Sequence, residues 1–297
     1  MSIKTSIKRS RSDFIFDVVN LVICGFVFLV VAYPLIYVIS ASVSSPLAVL
    51  QGRMVLWPVE PRINAYFDVF KHQDIMRGYR NSLVLVVFGT STNIVLTFFG
   101  AYILSRKDFF GRTFVTMIFA FTMFFGGGMI PTYLVVKNLG LLNSMWALIL
   151  PGAISMYNLV VMRTFFQNSI PESLVESAEV DGASQMYILF YIIVPLSHAI
   201  IAVICLFYGV AHWNQYFQAL LYLSSRTKYP LQMILREILL LSQVQELVDT
   251  QGFADQVLQG EAIKYALIIV ASVPVMVAYP FIQRHFVKGV MLGAIKG

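Results

Sequence analysis

Charge is scarce in this sequence: of 297 residues only 12% are Asp, Glu, Lys or Arg, against about 25% in soluble domains. Hydrophobic residues make up 58% and the mean hydropathy is +0.77, which excludes a water-soluble globular protein and leaves a polytopic membrane protein. Cysteine is nearly absent. Cys24 and Cys205 both lie within apolar runs, so there is no disulfide framework, and both read as small packing residues. No Gly-Lys is followed by Ser or Thr, so the chain cannot itself cradle ATP phosphates in a Walker A loop. No G-x-S-x-G occurs. The four histidines, His72, His198, His212 and His285, are scattered, without an i, i+4 pair or acids at ligand spacing. The sequence therefore offers neither a catalytic set nor a metal centre. The net charge of +6 fits cytoplasmic loops held positive against membrane lipid better than a nucleic-acid partner.

What is present is a series of charge-free runs: Val18 to Gly52, Asn81 to Ser105, Thr113 to Val136, Asn138 to Met162, Ala183 to Ser225 and Tyr265 to Gln283. Each is long enough for a helix of roughly 20 apolar residues. The first follows Lys4, Lys8, Arg9 and Arg11, as a signal peptide would, but its apolar core outlasts a signal h-region, so it reads as an uncleaved helix over about 16–40. The run from Ala183 is long enough for two helices. Turning the chain at His212-Trp213-Asn214-Gln215 would place the basic tail outside, whereas one helix from near Ile192 to near Tyr222 keeps basic residues denser inside.

The expectation is therefore an all-α membrane domain over 1–297, with six transmembrane helices, both termini cytoplasmic and core helices over about 82–283. The glycines Gly126 to Gly128 with Pro131, and Pro151-Gly152, Pro274 and Pro280, should bend the third, fourth and sixth helices. Of the two larger outer segments, the first contains Trp57-Pro58 and Glu60-Pro61, which disfavour helix. The second carries apolar residues at 231, 234, 235, 238, 239, 241 and 244, a helical period outside the bilayer.

The densest charge cluster runs from Ser169 to Ala183. Ser169 with Glu172 three residues on, and Pro171 between, reads as a helix start; Gly182 reads as its stop. Four acids here, Glu172, Glu176, Glu179 and Asp181, suit a protein partner better than lipid headgroups, although a solvated surface helix accounts for the same spacing.

Within it stand Glu176-Ser177-Ala178, three residues, Gly182, nine residues, Ile192, one residue and Val194-Pro195. This resembles the EAA loop of the permease subunits of binding-protein-dependent ABC importers, departing in Ser177 for the usual Ala and Val194 for the usual Leu. The end, Phe286-Val287-Lys288-Gly289 and Gly293 to Gly297, is similar to the tail of MalG-like carbohydrate permeases. Gly126 to Tyr133, Leu139-Gly140-Leu141 and Trp146-Ala147-Leu148 are similar to their LplC/YtcP-type polysaccharide and oligosaccharide branch.

The resemblance implies an ABC type I importer fold of the MetI-like kind. The loop over about 169–195 would be a coupling helix docked on a homodimer of ATP-binding subunits, through Glu176, Ser177, Ala178, Glu179, Asp181, Gly182 and Pro195. The cytoplasmic tail 284–297, with Lys288, Gly289, Gly293 and Lys296, would reach the same interface. This chain would bind no cofactor; ATP and Mg²⁺ would sit in the partner ATPase. A second, different permease, an extracellular solute-binding protein and an oligosaccharide, acidic or polysaccharide-derived, complete the expected partners in a bacterial cytoplasmic membrane. The chain would be no enzyme but half of a translocation pathway.

For that pathway the residues themselves give Asn93, Tyr157, Asn158, His198, His212, Trp213, Asn214 and Gln215, polar or amphipathic groups in or near the spans where lipid exposure is costly. Helix-to-helix hydrogen bonding is an equally physical role for each, and anchoring at the interface is one for Trp213. A self-sufficient, ion-coupled secondary transporter is the competing function. It would call for membrane-embedded acids, and the charge-free runs hold none.

Overall fold

A computed structural model describes residues 11–247, 260–261 and 263–280, and among these every regular element is helical. They fall into two compact units, one within Met1–Val69 and Leu241–Ile269, the other within Phe70–Leu240 and Val270–Gly297.

The first unit begins with α1 (Arg11–Ser42), longer at both ends than the expected 16–40. It is apolar on every side, and its buried residues, Ser40, Ala41 and Ser42, cluster at one end. A helix hydrophobic all round needs an apolar solvent. After it, α2 (Pro46–Leu50) and the segment around Trp57 and Pro58 are tied by serines: Ser44 Oγ donates to Ser40 O at 2.6 Å and accepts from Val59 N–H at 3.1 Å. Residues 51–63 are non-helical, as the two X-Pro steps dictate. Next comes α3 (Asn64–Lys71), where Tyr66 Oη lies 2.7 Å from Ser42 Oγ.

The second unit is organised on α4 (Gln73–Ser105). It starts well before the expected residue 82, because its first turns are held by polar contacts. Asp74 pairs with Arg77 at 3.2 Å and Arg226 at 2.9 Å, and Asn81 Nδ2 donates to Thr227 O and Tyr229 O at 2.8 and 3.0 Å.

The third expected helix is broken rather than bent: α5 (Arg112–Phe124) and α6 (Met129–Asn138) meet at 117°, with Gly128 at φ +85° between them. In the fourth, α7 (Trp146–Ile149) passes through Leu150–Gly152 and turns 55° into α8 (Met156–Ser169). The helix continues seven residues past Met162, where the charge-free run ends, and Met162 and Phe166 bury against the core.

The surface helix α9 (Glu172–Val180) follows. The fifth expected helix does not begin at Ile192. Instead α10 (Gln185–Leu196), π-helical over Ile188–Ile193, turns 77° at Ser197 into α11 (His198–Trp213). Pro195 lacks an N–H, and Ser197 Oγ donates back to Ile193 O at 2.6 Å, so the helix cannot run straight through. Asn214 ends α11 where the alternative reading turned the chain, but α12 (Phe217–Tyr222) is six residues, about 9 Å, and too short to recross a bilayer. Last come α13 (Leu231–Leu247), the helix read from periodicity, and α14 (Ile263–Pro280).

Among the described residues three helices, α1, α4 and α14, are long and apolar enough to cross a membrane, and the number rises to six if each bent pair is one crossing. The main core joins α4, α8, α10 and α11 through Phe98, Leu104, Leu159, Phe166, Ile188, Ile204 and Tyr208. Cys24 and Cys205, expected as packing residues, are both exposed; lipid is as apolar as a core, so a thiol on the outside costs little.

Gly89 of α4 is a tight seat in this packing, because a Cβ there would lie 2.6 Å from His212 Nε2. Gly89→Ala should destabilise the detergent-purified protein by about 1–3 kcal/mol. Gly25→Ala, where a Cβ meets nothing within 4 Å, should not, and thermal unfolding of the two variants checks the contrast.

Candidate functional site

Two places gather the polar residues named above. The first is a concave pocket of about 550 Å³ lined by Asn93, Asn158, His212, Asn214 and Gln215, together with Thr132, Ser155, Tyr208, Gln218 and Tyr222.

His212 is the hub of its wall. Asn93 Nδ2 donates to His212 Nε2 at 3.0 Å, His212 Nδ1–H donates to Gln215 Oε1 at 3.2 Å, and Gln215 Nε2 donates to Leu148 O at 2.9 Å. This order of donors and acceptors makes His212 a neutral imidazole with its proton on Nδ1. His212 and Gln215 are thus committed to holding α11 against α4 and α7. Asn93 Oδ1 remains buried, with no partner among the described residues.

Beside this chain, Thr97 Oγ1 and Tyr208 Oη are 2.7 Å apart, and Tyr208 Oη accepts from Ser155 N–H at 2.9 Å. Tyr208 and Gln218 were not among the candidates. The signal for Tyr208 was its place one helical turn before His212, on the same face.

Three candidates belong elsewhere. Trp213 is buried, its Nε1–H donates to Ala271 O at 2.9 Å and its ring meets Tyr79 edge-on at 5.6 Å, so it locks α11 to α14 rather than lining the pocket. Tyr157 is 56% exposed with its ring beside Phe207 at 6.3 Å. It points away because it precedes the inward-facing Asn158 by one residue, about 100° around the helix. His198 caps locally, with Nδ1 3.0 Å from Pro195 O.

The second place is α9 and its flanks. Ser169 ends α8 instead of starting α9, whose capping position is Pro171 in extended backbone. Gly182 has φ +78°, a left-handed stop that a side chain resists. Val175 is buried and Ala178 packs partly against the core, while Glu176, Ser177, Val180 and Asp181 face outward, Val180 being 88% exposed.

Glu179 differs from the other acids. Its Oε1 accepts from Arg106 Nη2 at 2.7 Å and from Gln185 Nε2 at 2.9 Å, so the side chain expected to face a partner is engaged within the chain. The hydrogen bond from Gln185, and then that from Arg106, hold its carboxyl below the ordinary range. Lys107 Nζ meets Glu172 Oε2 at 2.6 Å. These basic residues come from the short charged turn 106–108 between two apolar runs; sequence spacing does not show that the turn abuts α9. The tail residues Lys288, Gly289, Gly293 and Lys296 lie outside the described residues.

No family model matches the chain. Among proteins of known name, a polygalacturonan/rhamnogalacturonan transport system permease from Bacillus subtilis is 43% identical over 94% of this chain and 98% of its own length. LplC of the same organism is 40% identical over 97% of each. Among solved structures, a bacterial ABC transporter involved in the import of the acidic polysaccharide alginate contains a chain 36% identical, with a TM-score of 0.86 over 95% of this chain and all of that one. The chain belongs to the permease-subunit family of ABC importers. Such permeases are integral membrane components and not enzymes themselves, and this membership displaces the self-sufficient secondary transporter.

Because the Glu179 carboxyl is held below its ordinary value, its contribution is present above that value and is lost as pH falls through the lowered one. E179Q should therefore unfold at a lower temperature than the unsubstituted permease at pH 7. Melts repeated below about pH 4, the ordinary Glu range, should show the gap closing.

Proposed function

We propose that this permease forms half of the pathway of a binding-protein-dependent importer for an oligosaccharide of the acidic, polysaccharide-derived class, in a bacterial cytoplasmic membrane. The observation that carries the reading is the exposed face of α9, where Glu176, Ser177, Val180 and Asp181 stand clear of the core and Gly182 turns the chain away. Such a face offers a partner small side chains for close approach and carboxylates for charge-assisted bonds.

On this reading the chain is one permease domain of six spans with both ends cytoplasmic, each bent pair counting as one span. The loop over 169–195 docks on one subunit of an ATPase homodimer, which binds ATP and Mg²⁺. Lys288, Gly289, Gly293 and Lys296 reach the same interface. A second, different permease supplies the other half, and an extracellular solute-binding protein delivers the sugar. The acidic class is supported by the names of the relatives alone, and a sugar of any charge by the pocket lining, in which amides and hydroxyls outnumber other polar groups and suit sugar hydroxyls. Pro195 contributes the bend that turns the loop into α11.

Glu176→Ala combined with Gly182→Pro should weaken association with the ATPase by about 2 kcal/mol or more, roughly 30-fold, in co-purification from membranes in which insertion is verified. Undiminished association would overturn the docking role. In proteoliposomes with the complete importer, Asn158→Ala and Gln218→Ala should each raise the KM for trigalacturonate about fivefold, the loss of one hydrogen bond of about 1 kcal/mol; an unchanged KM for both would remove the pocket from the pathway.

A further inference from the structure

We propose that Arg106 is the positioning residue that fastens the coupling loop to α4, so that a displacement of α9 reaches the pocket through α4 and not only along the chain. The inference deepens the proposed coupling role and rests on it.

Two routes lead from α9 to the pocket. The covalent one runs through α10 and α11, and it is compliant: Ile188–Ile193 are π-helical, Pro195 interrupts the ladder, and the axis turns 77° at Ser197. A push on α9 can be absorbed at each of these points. The second route is noncovalent. Arg106 caps the end of α4, and its guanidinium joins Glu179 of α9 at 2.7 Å and Asp108 at 3.2 Å. Gln185 donates to the same Glu179 oxygen, while Tyr102 Oη of α4 donates to Gln185 Oε1 at 3.2 Å. Tyr102, Arg106, Glu179 and Gln185, four side chains from α4, α9 and the start of α10, thus form one network, in which Arg106 and Gln185 both donate to the Glu179 carboxylate. Lys107 to Glu172 adds a second tie at the other end of α9.

From there α4 runs unbroken. Arg106 and Asn93 are 13 positions apart in sequence, about 20 Å of helix, and between them Thr97 grips Tyr208 of α11. Movement of the Arg106 end therefore displaces Asn93 and its partner His212 as one body. An isolated pair at a surface contributes almost nothing. Here the Arg106 and Glu179 side chains are only 23% and 35% exposed, and the surrounding amide and phenol fix their geometry.

The test uses the complete importer in proteoliposomes, with R106Q, E179Q and the charge exchange R106E/E179R. R106Q and E179Q should each leave the ATPase co-purifying but cut trigalacturonate uptake about fivefold, raising the ATP consumed per sugar moved. The exchange should restore uptake toward the unsubstituted level. A change of fold alone would not produce uncoupled hydrolysis that the exchange repairs. Should R106Q fail to insert, E179Q, which keeps shape and acceptor and removes only charge, decides the matter. Full uptake in both single variants, or an exchange no better than either of them, overturns the proposal. If the unsubstituted importer ignores trigalacturonate, the sugar assignment fails instead, and the latch is read from ATP hydrolysis stimulated by the binding protein. If no ATPase associates at all, the coupling reading itself has failed.

Discussion

An apolar solvent leaves a helix no water to bond its polar side chains, and α4 is built around that constraint. Along one helix of 33 residues it buries and bonds Asn81, Ser82, Asn93 and Thr97. Ser82 Oγ accepts from Leu231 N–H at 2.9 Å and Asn81 binds two carbonyls of the 227–229 loop; Asn93 and Thr97 bind α11. Each bond forms because the alternative is an unsatisfied group in hydrocarbon, costing several kcal/mol. The polar residues of α4 thus determine which segments surround it. Gly78 and Gly89 complete the arrangement, because their missing side chains admit Leu231 with Ile234 and the His212 ring.

The same solvent decides how much of the fold is legible in the sequence. Apolar run length located α1, α4 and α14 because crossing distance is a one-dimensional property of the chain. Helix α13 was legible from its period, and the turns at Gly128 and Gly182 from glycine alone, both adopting positive φ. Partner assignments were not legible. Asn93 and His212 are 119 positions apart, and nothing local says that one amide should spend itself on that ring rather than face a pocket. Trp213 shows the same limit: an indole N–H suits a sugar or a backbone carbonyl equally, and Ala271 O is the acceptor in reach. The ends of the broken helices were missed because charge-free runs record where lipid is tolerated, not where the backbone turns.

The breaks themselves divide the fold into stiff and yielding parts. α4 is continuous, whereas three pairs bend by 117°, 55° and 77°, at Gly126 to Gly128, after Pro151-Gly152 and at Pro195 to Ser197. A bend frees carbonyls that must be re-bonded, and side chains do so locally: Thr132 Oγ1 donates to Gly128 O at 2.8 Å and Ser197 Oγ to Ile193 O at 2.6 Å. Such joints hold a resting angle without depending on distant contacts. A fold of this kind can move by changing angles at a few joints around a fixed rod, the hinge mode of conformational change.

The pocket chemistry bears on what such a motion would deliver. Its lining residues are uncharged apart from the titratable His212, which is neutral in this network, so an acidic sugar would find amides and hydroxyls but no lining guanidinium or ammonium. Of the amide-bearing and imidazole groups, His212 and Gln215 are already spent on the wall and Asn214 Nδ2 donates to Val210 O at 3.0 Å, which leaves Asn158, Gln218 and the open Oδ1 of Asn93 for a passing ligand. Hydrogen bonds of about 1 kcal/mol each let a ligand enter and leave, the condition a pathway must meet. A charge-assisted clamp on each carboxylate would be worth about twice as much per bond and would retain the sugar. On the proposed reading, discrimination for the acid therefore falls to the delivering protein or the partner permease, and this half serves passage.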